Sequence, residues 1–416
     1  MLPDESEEIW RYSRISSLDL EAFAPVLEPA DRIDDPPPHL RPVLEAVGAP
    51  AATVVVDHGR LVHHRVRPDL AERGLAVLDL AGAEGGSGGE EHLGAVARSA
   101  TDAFTELNTA FAPAPVVVAV PPRLAVEDPI VILHWMGRAG SAAFPRTVVE
   151  VGAGAEATVV EHLSSPPAAS LSCPVVELAV GAAGRLRYVN VQDLGPAAWH
   201  LGYHASRVER DGHLEATVVA LGGDYARVRT DSSLTGKGAT SRLSAVYFAD
   251  GHRMHDFRTL QDHAAPSTTS DLLFKGAVGD QARSVYSGLI RVGKNAPGTN
   301  AFQTNRNLVL SEGAGAESVP NLEIENNDVR CSHASAVGPI DEEHLYYLES
   351  RGVPPEAARR LVVLGFFDDV LGRLPVAELV RSVRADITRR LRGIDGALDH
   401  ALDGGAGEAA PLGRGR

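Results

Sequence analysis

Cysteine is nearly missing from this sequence: Cys173 and Cys331 are the only two in 416 residues. So few thiols give no disulfide framework, so stability must come from a buried core, which a chain of this length can hold. Long apolar runs are absent too. The longest, such as Val116–Val120, fall far short of a membrane span. A basic excess is also lacking: 39 Lys and Arg face 55 Asp and Glu, a net charge of −16. That balance repels phosphate backbones and anionic lipid, so neither nucleic acid nor a membrane surface is expected as a partner. The opening MLPDESEEIW is acidic and does not have the basic-then-apolar order of a secretion signal, so a cytoplasmic protein is expected. No Walker A loop, no GxGxxG after a strand, no HExxH and no CxxC occurs. The glycines of Gly85–Gly89 lie outside any strand-to-helix frame and read as a linker within the flexible stretch Gly82–Gly89.

What is present divides the chain into four parts. Residues 1–112 are mixed and helical: Ser17–Phe23 and Leu40–Val47 have helical spacing, Ala52–Val56 and Leu61–Val66 flank a hairpin turn, and Thr101–Phe111 is a further helix. Residues 113–338 are short Val-, Leu- and Thr-rich strands separated by small-residue turns such as Gly181–Gly184, Gly236–Ala239 and Gly313–Ala316. No helical run intervenes to make βαβ units. The turns recur irregularly at roughly 20–30 residues, the repeat scale of a β-solenoid. With aromatics at 5%, stacked short coils suit the composition better than a sandwich on aromatic anchors, which remains the alternative from pattern alone. The expectation is a mainly β protein with a parallel β-helix core.

Residues 339–395 turn helical. Asp341 is placed to cap Glu342–Ser350, Gly352 to stop it, and Pro354-Pro355 to open a second helix. In that helix Leu361, Leu364, Phe367, Val370 and Leu371 read as one apolar stripe, beside Phe366. Such a stripe fits a partner protein or the β unit itself. A third helix carries Leu379, Val383, Ile387 and Leu391, and residues 396–416 read as a polar, disordered tail.

Two clusters carry candidate chemistry. Cys331 and His333 are two apart in a strand-like run, so they project to one face with Cα atoms about 6–7 Å apart. A thiolate beside an imidazole suits soft metals or sulfur, and Arg330 and His333 would favour the thiolate. Two ligands are half of a tetrahedral set, so any metal here needs ligands from elsewhere. The alternative is a small buried thiol, a reading that fits Cys173 in Leu171-Ser172-Cys173-Pro174. The second cluster, His252 to His263, includes His255, Asp262 and His263. It would bind metal if its side chains converge, and otherwise forms a solvated turn held by hydrogen bonds.

These same segments resemble the SufB/SufD family of iron–sulfur cluster assembly proteins. The resemblance runs from about His252 to Leu374 and includes Gly279–Gly288, Gln303-Thr304-Asn305-Arg306-Asn307-Leu308, Asp328–His333 and Asp341–Gly352, with a WRY element at Trp10-Arg11-Tyr12. The SufD branch is the nearer one. SufB proteins carry a cysteine where this chain has Thr304, and an EHEA-like segment where it has Cys331-Ser332-His333-Ala334. Independent scaffold activity is therefore not expected.

The resemblance implies a right-handed parallel β-helix between helical terminal domains. It implies a non-enzymatic subunit that pairs with a SufB-like paralogue and binds a SufC-like ABC ATPase, where ATP hydrolysis resides. Cys331 and His333 would lie at the paralogue interface, sharing a transient iron–sulfur cluster or iron, with His255, Asp262 and His263 as polar support. Leu361, Leu364, Phe366, Phe367 and Val370 would contact the ATPase. Two other readings stand beside this: a β-helix polysaccharide-active enzyme of the secreted type, and a purely structural subunit of the same complex.

Overall fold

The computed structural model describes residues 3–404 apart from 29, 81–95, 98–100 and 114; the Gly82–Gly89 stretch lies outside the described residues. The chain winds into a parallel β-solenoid of about eight turns. Each turn gives one strand to each of two facing sheets, and from Val175–Val180 onward successive strands alternate between them. Neighbours are in register: Thr240 lies beside His213, 27 residues earlier, and Asn300 beside Thr269, 31 residues earlier. Every second residue points inward, and Val, Leu and Ala fill the bore, as at Val159, Leu186, Ala216 and Leu243.

The corners explain the glycine content. A methyl group at Gly236 would overlap the backbone of Arg210 in the coil beneath, so stacking at that corner needs a residue without a side chain. A file of aromatics runs along part of the bore. Tyr247, Phe257, Phe274 and Tyr286 stack with centroids 4.6, 5.6 and 5.2 Å apart in succession, and the Tyr247 ring lies on the bare backbone of Gly276.

Each sheet has a covered outer face. Helices Pro355–Leu371 and Ala377–Gly404, with Arg41–Val47, pack on one sheet through Phe367, Val370, Ile387, Val47 and the outward-facing Val219, Val246 and Phe248. The other is covered by the N-terminal segment and helix Ala103–Phe111 through Trp10, Ile15 and Phe104 on Trp199 and Leu201.

Several sequence expectations need correction. Ser17–Phe23 forms two single helical turns, Ile15–Ser17 and Leu20–Ala22, not a helix. The last helix runs to Gly404, past the boundary set at 395. Glycines at 393 and 396 weaken a helix by about 1 kcal/mol each, but Ile387, Leu391 and Ile394 dock the helix on the solenoid and keep it going. The apolar stripe is also rotated: Ala358, Val363, Phe367, Val370 and Leu371 face inward, while Leu361 is 51% exposed. No helix among the described residues is long and apolar enough to cross a membrane.

Candidate functional site

The solenoid ends on two strands, Gly315–Ile324 in one sheet and Val329–Gly338 in the other, each paired on one side only. Their outer edges present unpaired backbone N–H and C=O groups, a template for another chain. Among the described residues, none of either strand is buried: both are half-buried or exposed along their whole length. Most residues of Val329–Gly338 are exposed.

Strand alternation fixes what lines the mouth. Cys331 stands over Ala301 and His333 over Gln303, and both Ala301 and Gln303 face the bore. Across the mouth Leu322 continues the inward column of Ile290. Ser335 Oγ donates to Ser318 Oγ at 2.7 Å, joining the two rims. Cys331 is half-buried, packed with Leu322 and Val329 against Ile290, Val292 and Ala301, while His333 is exposed. The expected pair is therefore brought to one face at an open end.

The thiol chemistry differs from expectation. Burial pushes the Cys331 thiol up, only partly offset by a hydrogen bond from the Ala301 backbone. Arg330 is adjacent on the strand and so projects to the opposite face. Deprotonation of Cys331 therefore has to come with a metal or a partner charge, since a coordinated thiol loses its proton outright. Cys173, fully buried, is pushed up much further by desolvation and is inert.

The second cluster does not converge, and it is not a solvated turn. Met254–His263 is a buried strand. His255 points into the bore with Nε2 3.2 Å from the Gly222 carbonyl. Its neighbour Asp256 points outward, is fully buried, and binds Arg227, Arg258 and Tyr225. Asp262 pairs with Arg291 at 3.0 Å on the outer surface. His263 is held by Thr268 Oγ1 and Ser270 Oγ at 2.8 and 2.9 Å. Ser270 lies two ladder steps behind Cys331, a separation of about 10 Å. His255, Asp262 and His263 are all engaged by partners within the solenoid, and burial holds His255 and His263 down at about 4. Among the described residues no group of three or more His, Cys, Asp or Glu is arranged to hold a metal ion. Donors at the mouth, a thiol and an imidazole, fit a thiophilic metal, but they are half a set.

Sequence reasoning missed the clamp on the N-terminal segment. Arg227 Nη2 donates to the Ile9 carbonyl and Arg258 Nη2 to the Arg11 carbonyl, both at 2.6 Å. The Trp10 ring covers the Arg227 guanidinium at 3.8 Å. The WRY element is thus a strap locked over Asp256. Its partners lie more than 200 residues away, so no local signal revealed them.

A β-solenoid with an open thiol–imidazole end defines an assembly subunit more readily than a self-contained metalloenzyme. Residues 134–366 match the model of the SUF system FeS cluster assembly SufBD core domain. The chain belongs to the SufBD family of iron–sulfur cluster assembly proteins. It is 38% identical over 303 residues to an iron–sulfur cluster assembly SufBD family protein of Mycobacterium tuberculosis, covering 71% of this chain and 74% of that one. The corresponding protein of Mycobacterium leprae is 36% identical, with 71% and 75% covered. The chain is 29% identical to the iron–sulfur cluster assembly protein SufD of Escherichia coli over 402 residues, 94% of this chain and 90% of SufD. Membership of this family displaces the polysaccharide-enzyme alternative.

Proposed function

We propose that this chain is the SufD-like half of a cytoplasmic assembly complex, pairing end to end with a SufB-like paralogue and binding a SufC-like ABC ATPase. The observation that carries the reading is the open mouth. Two unpaired strand edges surround Cys331 and His333, which supply half a ligand set. A paralogue would satisfy the edges and complete the set, so that iron or a nascent cluster forms between the subunits as cargo.

The ATPase would bind the helical region 339–395. Phe367 and Val370 are fully buried in the chain's own core, and Leu364 and Phe366 are half-buried there. A direct contact would fall to exposed apolar residues of this region: Leu361, and Tyr346 and Tyr347 at 75% and 58% exposure. A mechanical link to the mouth is built in. Lys275, outward on strand Thr269–Val278, donates to the Phe366 carbonyl at 2.8 Å and to Asp369 at 2.6 Å. That strand lies two ladder steps behind Val329–Gly338. ATP-driven movement of the helices would thereby reach the covered site and open it.

The test is His333→Ala in a strain that depends on this system. Loss of one metal ligand is expected to lower cluster assembly by at least about 10- to 100-fold, the range already set by losing an outer-shell partner of a ligand, with the three proteins still co-purifying. Undiminished assembly removes the role of His333. The raised Cys331 thiol keeps a purely structural reading in view. That reading gains if Cys331→Ala is also silent while truncation of 340–395 abolishes both ATPase capture and function.

A further inference from the structure

We propose that Gln303 orients His333: its side-chain carbonyl accepts one imidazole N–H, so the other ring nitrogen presents its lone pair out of the solenoid mouth. The inference rests on the cluster-site reading for its purpose, but its geometry stands independently.

Gln303 and His333 are direct ladder partners. Both occupy inward positions of neighbouring strands, about 4.8 Å apart along the solenoid. Gln303 is 1% exposed, and its Oε1 is buried without a donor, while its Nε2 reaches the Gly288 carbonyl at 3.5 Å. The amide fits there because Gly288 has no side chain. A methyl group would run into Gln303 Nε2 at 2.8 Å and into the Tyr286 hydroxyl.

The next two inward amides on the same strand differ. Asn305 and Asn307 bond to each other at 2.9 Å and to the Tyr247 hydroxyl at 3.0 and 2.6 Å, which completes both of their acceptors. The Tyr286 hydroxyl is paired with Thr259 Oγ1 at 3.1 Å. At Gln303 an acceptor is left over, immediately beneath the mouth, where only a donor can relieve it. Cys331 is a poor candidate: it stands over Ala301, is packed among aliphatic side chains, and a thiol is a weak donor. His333 is the directly facing residue, and a neutral imidazole carries one N–H and one lone pair. Fixing the tautomer through the non-ligating nitrogen is how proteins orient metal-binding histidines. Gln303 is thus a positioning residue.

The experiment is ¹⁵N NMR of the full chain labelled at histidine, with His333 assigned by the signal missing from His333→Ala. In the wild type one tautomer of His333 should dominate. In Gln303→Met, which keeps chain length but offers only a weak thioether acceptor, the tautomer ratio should shift by about three- to tenfold, the worth of one buried hydrogen bond. Gln303→Glu, which keeps an acceptor, should restore it. If Gln303→Met fails to fold, Gln303→Asn withdraws the acceptor by one methylene and should give the same shift. An unchanged ratio in a folded Met or Asn variant overturns the proposal. That result would leave the cluster-site reading intact, whereas silent His333→Ala in cluster assembly would remove that reading and leave the tautomer result standing.

Discussion

Acidification from pH 7 to about pH 5 is expected to unfold this protein, because its bore contains histidines that cannot be protonated in place. Burial pushes His200 down to about 3, aided by the charges of His204 and His255. His204, His255 and His263 are held at about 4 by the same desolvation. In the unfolded chain each returns to about 6.5. Between these limits the unfolded state binds protons that the folded state refuses, so stability is fully present above pH 6.5 and falls as pH drops towards 4. Each group contributes about 1.4 kcal/mol per pH unit. Four groups therefore remove about 5 kcal/mol by pH 5.5, as large as the whole stability of many domains. Glu161 acts lower down. Its burial alone would raise it, but hydrogen bonds from His134, Tyr188 and Thr147 and the His134 charge hold its carboxyl at about 2, so its contribution is lost only below pH 4.5. Urea denaturation between pH 7.5 and 5 should show the uptake of about four protons on unfolding. A stability that is flat across that range would contradict the neutral, buried state of these histidines.

Asp256→Ala is expected to lower stability by about 3–5 kcal/mol, the usual effect of leaving buried charge uncompensated. Asp256 is fully buried, and its carboxylate takes Arg227 at 2.8 Å, Arg258 at 2.7 Å and the Tyr225 hydroxyl at 2.8 Å. Desolvation alone would raise its pKa, but the two guanidiniums outweigh it and hold the carboxyl below the usual range. Both arginines also hold the N-terminal strap by the carbonyls of Ile9 and Arg11. The substitution should therefore release the strap as well, and trypsin should cut at Arg11 and Arg14 faster than in the wild type. By contrast the half-exposed Arg14–Asp224 pair is worth about 1 kcal/mol or less. A loss under about 0.5 kcal/mol with no change in tryptic cleavage, within the range of an ordinary surface substitution, would refute the clamp.

The solenoid was legible because its cause is periodic: small-residue turns recur at each coil, and two-residue alternation fills the bore. The same alternation placed Cys331 and His333 on one face. What misled was polarity read locally. Met254–His263 is rich in charge and histidine, which looks solvated, yet Asp256 is neutralised by Arg227 from the adjacent coil and by Arg258 two residues on. The partners of Trp10-Arg11-Tyr12 were invisible for the same reason. Arg330 sits next to Cys331 in sequence, but strand geometry sends it to the other face, so the thiol feels burial and not a cation. In helix Pro355–Leu371, apolar residues surround more than one face, at Leu361, Val362, Val363 and Leu364. Spacing alone could not choose between Leu361 and Val363 as the inward residue.

The most direct test of the central claim is alkylation of Cys331 by N-ethylmaleimide, read by mass spectrometry in the isolated chain and after assembly with a SufB-like paralogue and SufC-like ATPase. Cys173 is buried and unreactive, so the signal reports one site. Cys331 should be labelled in the isolated chain and strongly protected in the nucleotide-free complex, with protection partly lifted when ATP is added. Equal labelling rates in the isolated chain and the complex would contradict the assignment of the solenoid mouth as a shared, partner-completed site.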